Sequence, residues 1–559
     1  MDPSQAISRE YQLQAIDDEI KSLEESIRTL RYRRNTLVPI SSLPTKVITA
    51  VFSFFHLSAF TSRKLDPLAW LRVAHVCHRW REIALNQPLH WSHVNLTTLS
   101  SAGVAEILAR AKTVPLFLEA TIPENHRNNA QFNSIQGELL RCISRTSHLR
   151  IHAKRHDLCK IFESLTSPAP ALECLSLSSK GHELKAAIPE TLFGGTTPRH
   201  SSLQLRNCDI SWESPLLNGL IYLDMRLPFS NARPSLVVWL DALDRMSRLK
   251  VLTLQAAASP GAGQFPFHVG RTATLPSLTH LNISDSSQVC AYVLAHLDPP
   301  ALTCLCIKTS PLFWNARDVL KVLLPYVARH AHGPQDTQPL QSMLIQKDET
   351  LLEILAWPVP NIDSEDNLPT FLSTTPPARV ALSFECQAVG PDDHPLYVIL
   401  SAVLAILPLD DLVTLTALCF PLPRPNFWLC HFEKWRRLRR IRLKLSGVLA
   451  FTQSLRQDDG GCENRLLPSL KELVLLGSCL YEKQALTLCD VLIKRVEQGV
   501  PLQTLDLRTC SLAHDYPAAV QSLSSIVPDT LVPEERGRVK TMTMWYRLLC
   551  DPFVDDITG

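Results

Sequence analysis

A six-residue pattern, Leu-x-x-Leu-x-Leu, recurs along most of this chain and limits what it can fold into. The clear copies are LECLSL, LIYLDM, LKVLTL, LTHLNI, LTCLCI, LQSMLI, LRRIRL, LKELVL and LQTLDL, which begin at Leu172, Leu220, Leu249, Leu278, Leu302, Leu340, Leu438, Leu470 and Leu502. Successive copies are mostly about 20 to 40 residues apart, which is the spacing of one strand and one return connection. Apolar patterns of helical period, such as SLVVWLDALDRM from Ser235, lie between several of them.

A strand followed by a helix at this period is the signature of leucine-rich repeats. We therefore predict an α/β protein in which an irregular leucine-rich-repeat solenoid occupies residues 97–530. No copy occurs between about 350 and 435, where PNIDSEDNLPT is typical of a loop, so we expect the array to be interrupted there. Residues 531–559 are expected to form a C-terminal tail.

Residues 1–37 predict a separate amphipathic, coiled-coil-like helix. Its apolar residues recur at alternating steps of three and four, with Arg34 at one seam position, and they are Leu13, Ile16, Ile20, Leu23, Ile27, Leu30 and Leu37. The flanking charges are acidic from Asp17 to Glu25 and basic from Arg28 to Arg34. Our preferred interpretation is a single helix packed on its own domain. The alternative is self-association, in which an antiparallel partner matches these charges and a parallel, in-register partner opposes them.

The stretch RVAHVCHRWREIAL, residues 72–85, brings together two histidines, a cysteine, a tryptophan and three arginines. If it is one helix, its apolar residues form one stripe, made of Val73, Val76, Cys77, Trp80, Ile83 and Ala84. His75 and His78 then point away from Cys77, which argues against a metal site. The preceding RKLDPLAW does not supply the partner of a DNA-reading helix. Packing against protein is the remaining interpretation.

The segments SLPTKVITAVFSFF, VAHVCHRWREIAL and PLHW, in this order, resemble the F-box, the adaptor-binding module of SCF-type ubiquitin ligases. The resemblance covers about residues 38–96 and implies a small all-α domain that docks a Skp-type adaptor and, through it, a cullin. The residues that it implies for adaptor binding are Leu43, Pro44, Val47, Ile48, Val51, Phe52, Val76, Cys77 and Trp80. The chain departs from the family pattern at Lys46, where an acid is common, at His90, where a Leu is usual, and in a longer link between the two halves.

With its N-terminal helix and its repeats, the chain is similar to the expanded F-box families of mushroom-forming fungi. The alternative for residues 38–96 is a plain helical cap on the repeat array. In the repeats, the leucines are expected to point inward and the intervening positions to line a concave face. The candidates for target binding on that face are Tyr222, Asp224, His280, Asn282, Arg440, Arg442, Lys444, Asp506 and Arg508.

The most basic stretch, EKWRRLRRIRLKL from Glu433, has two interpretations. We prefer a solvated strand edge. The alternative is a patch for an acidic or phosphorylated segment of a partner protein, because arginines bind carboxylates and phosphates in pairs of hydrogen bonds.

Composition limits the remaining functions. The 559 residues carry 56 Lys and Arg against 54 Asp and Glu, and a net charge of +2 argues against nucleic acid as the main partner. The 16 cysteines include no C-x-x-C pair, which argues against zinc and favours a reducing compartment. The longest apolar run, residues 397–409, is too short to span a bilayer and predicts a buried helix, and the N-terminus lacks the apolar core of a signal peptide.

No phosphate-binding glycine loop, zinc-protease motif or hydrolase nucleophile elbow is present in the sequence. We therefore expect a non-catalytic protein of the cytoplasm or nucleus, without a cofactor, that binds neither nucleic acid nor membrane. The resemblance implies a substrate receptor, in which the F-box docks the adaptor of a cullin ligase and the repeat face holds a target protein. The alternative is a leucine-rich-repeat interaction scaffold without ligase association.

Overall fold

The computed structural model divides the chain into two compact units, residues 1–200 with 208–210, and residues 201–207 with 211–559. It describes residues 3–532 except 62–68, 124–128, 182–184, 228–232, 257–269, 310–318, 334–337, 348–349, 361–376, 386–394, 420–430, 445–447, 457–466, 478, 481 and 513–516.

Helices occur throughout the described chain. The α-helices are α1 Pro3–Thr36, α2 Thr45–Thr61, α3 His78–Leu85, α4 Ser101–Ala111, α5 Asn129–Cys142, α6 Arg155–Ser164, α7 Leu236–Asp244, α8 Ser287–Ala295, α9 Leu324–Ala331, α10 Pro395–Ile406, α11 Val448–Arg456, α12 Glu482–Glu497 and α13 Pro517–Ile526. Short 3-10 helices at Pro39–Ser42, Ala69–His75 and Pro88–Trp91 complete the N-terminal helical region.

Strands begin after this helical region and continue to the end of the described chain. They are β1 His93–Asn95, β2 Leu116–Thr121, β3 Thr146–Lys154, β4 Cys174–Lys180, β5 Ala186–Ala187, β6 Ser202–Arg206, β7 Cys208–Asp209, β8 Tyr222–Arg226, β9 Val251–Gln255, β10 Ala273–Thr274, β11 His280–Asp285, β12 Leu297–Asp298, β13 Cys304–Thr309, β14 Ser342–Lys347, β15 Leu351–Trp357, β16 Val380–Glu385, β17 Thr414–Cys419, β18 Arg440–Lys444, β19 Glu472–Leu476, β20 Cys479–Leu480, β21 Thr504–Asp506, β22 Ser511–Leu512 and β23 Asp529–Leu531.

The small helical domain before β1 is built around aromatic rings. Pro44 immediately precedes α2, where its missing N–H costs no helical hydrogen bond, and its carbonyl accepts from the Val47 N–H at 2.9 Å. Phe52 of α2 is buried and meets Trp80 of α3 edge to face, with 5.1 Å between ring centroids. Trp70 and Trp91, both buried, make a second edge-to-face pair at 5.1 Å. Such pairs add about 0.5–1.5 kcal/mol beyond burial of their surface.

Our prediction of one helix over residues 72–85 is wrong. The chain forms a 3-10 helix to His75, breaks at Val76 and Cys77, and starts α3 at His78. Cys77 is extended, at φ −157° and ψ 169°, and the guanidinium of Arg81 donates to the Ala74 carbonyl at 2.9 Å. That hydrogen bond satisfies a carbonyl that the break takes out of the helical ladder. Because the break turns the chain, Val76 is exposed and does not join the buried stripe.

Our preferred interpretation of the N-terminal helix, packed on its own domain, is also wrong. From Tyr11 to Arg34 every side chain of α1 is exposed, including the apolar heptad stripe. One contact between α1 and the helical domain is made by Tyr32, whose ring lies 6.4 Å from that of His78. Tyr32 is at the heptad position opposite the stripe, so the face that approaches the domain is not the apolar one.

In the first unit, the strands form a parallel succession. β1 pairs with β2, β2 with β3 and β3 with β4, all in parallel, and helices α4, α5 and α6 make the returns. Alternate residues are buried, as Leu116 and Leu118 in β2 and Leu175 and Leu177 in β4 show. Strands β1 to β3 precede the first clear Leu-x-x-Leu-x-Leu copy, so the array begins earlier than that pattern alone indicates.

The second unit continues with the same architecture. Parallel pairing joins β6, β8, β9, β11, β13 and β16 in that order, and β14, β17, β18, β19, β21 and β23 in that order. Strand β15 lies between β16 and β14 and is antiparallel to both. The predicted architecture, a small helical N-terminal region followed by a parallel leucine-rich-repeat type solenoid, is confirmed.

The β13–β16–β15–β14–β17 order reverses the chain order locally. Residues 350–435, where we expect an interruption, contain β15, β16, α10 and β17. Most of the expected PNIDSEDNLPT loop, residues 361–370, lies outside the described residues. The apolar run at 397–409 begins within α10, whose Ile399, Leu400 and Val403 are buried, so the predicted buried helix is confirmed. Among the described helices, none combines the length and apolar character needed to cross a membrane.

Candidate functional site

Helix α2 carries two apolar stripes, one buried and one exposed among the residues that the structure describes. Ile48 and Phe52, four residues apart, are each 2% exposed and face the core of the helical domain. A second stripe, made of Val47, Val51, Phe54 and Phe55, follows the steps i, i+4, i+7 and i+8 and is exposed, up to 77% for Phe54. An exposed apolar stripe on a helix is a candidate contact surface for another protein.

Further apolar side chains in this domain are exposed, and three of them follow the start of the Leu-Pro turn. Leu43 precedes α2, Val76 lies at the break before α3, and Leu89 is in the last 3-10 helix. With the exposed stripe of α2 they form what we call the docking set, which comprises Leu43, Val47, Val51, Phe54, Phe55, Val76 and Leu89. Exposed apolar side chains of this kind are candidates for contact with another protein.

The turn that carries Leu43 and Pro44 is held by an arginine from α3. The guanidinium of Arg79 donates to the carbonyl oxygens of Ser41 and Leu43, the second at 2.7 Å. A planar guanidinium satisfies two carbonyls at once, so one side chain positions the whole turn against α3. Arg79 was not among the residues that we predicted for this site.

The structure separates the nine residues predicted for adaptor binding. Exposed and able to meet a partner are Leu43, Pro44, Val47, Val51 and Val76. Ile48 and Phe52 are buried and stabilise the domain itself, while Cys77 and Trp80 are half-buried. The prediction missed Phe54, Phe55 and Leu89, although the helical spacing of Val47, Val51, Phe54 and Phe55 was legible in the sequence.

The two departures from the family pattern lie in different environments. Lys46 is exposed in the first turn of α2, next to the docking set. His90 is buried, and its Nε2 lies 3.1 Å from the Ser53 hydroxyl. Its ring packs against those of Trp70 and His56, with centroid distances of 5.3 and 5.4 Å. The His90 departure therefore changes the core of the domain, and the Lys46 departure changes its exposed surface.

The two histidines of the 72–85 stretch do not converge with its cysteine. His75 and His78 are exposed, and Nδ1 of His78 lies 3.5 Å from a carboxylate oxygen of Glu82. Over the described ranges of the chain, no group of three or more His, Cys, Asp or Glu side chains is placed to hold a metal ion.

On the sheet of the second unit, the predicted target-binding residues fall into two groups. In the first, Tyr222 and His280 flank Val251 in one row across strands β8, β9 and β11, and Asp224 and Asn282 flank Thr253 in the next row. The Asn282 amide donates to the Thr253 hydroxyl at 3.1 Å. Asp224 is buried and accepts two hydrogen bonds from Arg226, at 2.9 and 3.1 Å. Its carboxylate is therefore engaged in an ion pair within the fold and is less suited to target contact.

The second group surrounds a shallow cavity of about 230 Å³. Its lining includes four of the predicted residues and is made of Arg440, Arg442, Glu472, Val474, Thr504, Asp506, Arg508 and Leu531. The predicted Lys444 is half-buried at the end of β18 and does not line the cavity. The two groups lie six strand positions apart along the sheet, about 29 Å at the usual strand spacing, so one small ligand does not reach both.

The charges around this cavity are largely matched. Arg440 forms an ion pair with Glu472, and Arg508 binds Asp506 through two nitrogens, the closer at 2.8 Å. Burial opposes ionisation of Asp506, but the hydrogen bonds and charge of Arg508, helped by Arg442, outweigh it and lower the pKa of the carboxyl group. Three arginines against two carboxylates leave a mildly basic lining, which suits a partner segment with an acidic residue better than a polyanion.

Comparison with known families concerns the helical domain. Residues 40–97 match the model of the F-box-like family, which is the segment that contains the docking set and the aromatic core. A search of curated protein sequences gives no match for the chain. The chain therefore contains an F-box-like domain, followed by a leucine-rich-repeat type array.

Solved structures that resemble the chain are remote. The chain is similar to one in the TLR13–ssRNA13 complex, at 13% identity and a TM-score of 0.29, over 79% of this chain and 49% of that one, so it spans about half the length of that protein. It is similar to the leucine-rich repeat-containing protein LegL7 from Legionella pneumophila, at 13% identity and a TM-score of 0.24, over 69% and 90%. It is also similar to a chain of the Rad7 and Elc1 complex in yeast, at 13% identity and a TM-score of 0.23, over 94% and 96%. Superpositions this loose transfer no residue roles.

Proposed function

We propose that this chain is the target-recognition subunit of an SCF-type cullin ubiquitin ligase. The observation that carries the proposal is the exposed apolar stripe of α2, which lies inside the segment that matches the F-box-like family. A Skp-type adaptor is the partner that this family implies, and it would cover the docking set. The repeat face of the second unit would then hold the target.

Burial of the docking set would favour docking. Each Val, Leu or Phe side chain that passes from water into an apolar contact contributes about 1.5–3 kcal/mol, before the cost of association is subtracted. The set contains two phenylalanines, three valines and two leucines. The arginine that holds the Leu43 turn lowers the ordering cost, because that part of the surface is positioned before the adaptor arrives.

In this role the chain performs no bond chemistry itself. It would raise the effective concentration of target lysines near the ubiquitin-transferring subunits of the complex. The two residue groups on the repeat face, around Tyr222 with His280 and around Arg442 with Asp506, are the proposed target contacts.

Co-purification of the full chain with a Skp-type adaptor tests the proposal. The informative substitution is Val51→Asp, since Val51 is 57% exposed in α2 and its replacement leaves the core intact. Its matched control is Val237→Asp, which alters a valine that is 62% exposed on helix α7 of the second unit. We expect the unaltered chain and V237D to bind the adaptor, and V51D to bind at least tenfold more weakly, about 1.4 kcal/mol.

Thermal unfolding of the three proteins must coincide, which shows that V51D is folded. If the folded, unaltered chain does not bind any Skp-type adaptor, the ligase role is wrong. The chain is then best described as a leucine-rich-repeat scaffold. The exposed Lys46 beside the docking set is the first residue to examine as the cause of the lost adaptor binding.

A further inference from the structure

Helix α1 carries an apolar stripe that the protein leaves in water over its whole described length. Ile16, Ile20, Leu23, Ile27 and Leu30, which occupy successive a and d positions of the heptad, are between 47% and 63% exposed. Apolar residues at these positions are the seam of a coiled coil, and the steady 3–4 spacing brings them onto one line along the helix.

The rest of α1 is charged in two blocks. In the first half, the e and g positions beside the seam hold Asp17, Glu19 and Glu24. In the second half they hold Arg31 and Arg33. All five side chains are exposed, so these charges are available to a partner helix.

We propose that α1 pairs with α1 of a second copy of this chain in an antiparallel two-stranded coiled coil. The charges identify the partner as a second α1, because the acidic half of one helix lies beside the basic half of the other when the two run antiparallel. With full overlap of the stripes, Ile20 of one copy lies opposite Leu30 of the other, and Leu23 lies opposite Ile27. Asp17 then faces Arg31, and Glu19 faces Arg33, twice each because of the two-fold axis.

A parallel pair is disfavoured by the same residues. In a parallel pair, each g position faces the following e position of the partner helix. Glu19 of each copy then faces Glu24 of the other, which gives two like-charge contacts. It also places the two Arg34 side chains together at one a position of the seam. In the antiparallel pair Arg34 lies opposite Ile16, next to the acidic half of the partner helix. The one like-charge approach there is Glu24 with Glu24 near the axis, and each already has Arg28 of its own helix at 3.5 Å.

This pairing uses a different surface from the docking set and does not rest on the proposed function. Tyr32, whose ring lies 6.4 Å from that of His78 in the F-box-like domain, is on the side of α1 away from the seam. Dimerisation would therefore leave the docking set of both copies accessible. It would present two adaptor-docking surfaces and two repeat faces in one assembly, which raises the avidity for a target with two recognition segments.

Sedimentation equilibrium of the full chain over the micromolar range tests the pairing. We expect a monomer–dimer equilibrium that Leu23→Asp abolishes, because a buried carboxylate at the seam is left without a counter-charge. The matched control is Ser22→Asp, one residue away on the outer face, which we expect to remain dimeric. Since both positions are exposed in the monomer, both variants should unfold at the temperature of the unaltered chain at equal monomer content. A chain that stays monomeric, or a dimer that survives L23D, overturns the proposal.

Charge exchange and cross-linking decide the orientation. D17R/E19R and R31E/R33E chains should each be monomeric, and an equimolar mixture should form a heterodimer in which all four ion pairs are restored. In an oxidised mixture of Ile20→Cys and Leu30→Cys chains, mass spectrometry should find the 20–30 linkage between the two chains. Prevalence of 20–20 and 30–30 linkages would show a parallel pair and refute the antiparallel arrangement.

Discussion

Arg79 in α3 donates a hydrogen bond of 2.7 Å to the carbonyl oxygen of Leu43, which lies 36 residues earlier in the chain. Together with its bond to Ser41, this contact fixes the turn before α2 by a side chain that is itself anchored in a helix. The relationship positions the exposed Leu43, a member of the docking set, and the Pro44 that follows it.

Substitution of Arg79 should therefore reduce adaptor binding through the turn. For Arg79→Ala we expect a loss of about 1–3 kcal/mol in the free energy of unfolding, the range for hydrogen bonds to a charged group. Adaptor affinity should fall by about tenfold, because the turn must then be ordered on binding. Arg79→Lys should recover little of either quantity, since an ammonium does not span two carbonyls. Calorimetric titration measures the adaptor affinity, and chemical denaturation measures the free energy of unfolding. Normal adaptor affinity of R79A would refute the proposed role of this contact.

The buried and exposed stripes of α2 should separate stability from binding. Phe52→Ala should lower the free energy of unfolding by about 3–5 kcal/mol, because it opens a cavity beside Trp80. Val47→Ala, on the exposed stripe, should change stability by less than about 0.5 kcal/mol and still weaken adaptor binding. Denaturant unfolding and adaptor affinity, measured on both variants, check this division. A V47A chain that binds normally would place the docking surface elsewhere.

A cluster of histidines should make the F-box-like domain sensitive to acid. Burial, with the charge of His56 as the second cause, lowers the pKa of His90 to about 4, and burial lowers that of His93 to about 4 with contributions from His56 and His148. The pKa values of His56 and His148 are also lowered by burial, and Glu173 opposes the shift at His148.

These rings are neutral in both the folded and the unfolded chain above pH 6.5, the ordinary histidine value. Between that pH and about 4 the unfolded chain takes up protons first, so the free energy of unfolding should fall as the pH is lowered through this window. Thermal unfolding followed across the window should show a shallower decline for His90→Leu than for the unaltered chain. Parallel curves for the two proteins would mean that His90 titrates normally in the fold.

The cavity around Arg442 should contribute to target selection. Proteins that accumulate in cells when V51D replaces the unaltered chain are the candidate targets, since they depend on adaptor docking. Arg442→Ala should lengthen the half-lives of the same proteins several-fold, whereas Lys471→Ala, at an exposed position outside the cavity, should not. If the targets are degraded at the normal rate with R442A but more slowly with Tyr222→Ala or His280→Ala, the target site is the group around Tyr222 and His280.

Much of the array could be predicted from local pattern, because a strand of alternating buried and half-buried residues repeats its signature in each copy. Leu175 with Leu177 and Leu473 with Leu475 are buried as their spacing indicates. Strands β2, β3, β15 and β16 were not recognised, since their apolar residues alternate without the leading Leu-x-x. The position of β15 between β16 and β14, antiparallel to both, depends on pairing between strands that are apart in the sequence. No local sequence pattern predicts this pairing.

The sequence by itself determined the periodic features of this protein: the heptad of α1, the F-box-like order of Leu43-Pro44, the α2 stripe and Trp80, and the repeat strands. Each follows from the spacing of apolar residues along one element, which is a local property. Only the tertiary structure decided which apolar side chains are covered. Ile48 and Val47 are neighbours with similar side chains, yet one is in the core and the other faces solvent. Whether a face of a helix is buried depends on what packs against it. That packing is set by contacts between residues far apart in the chain, such as Phe52 with Trp80 and Arg79 with Leu43.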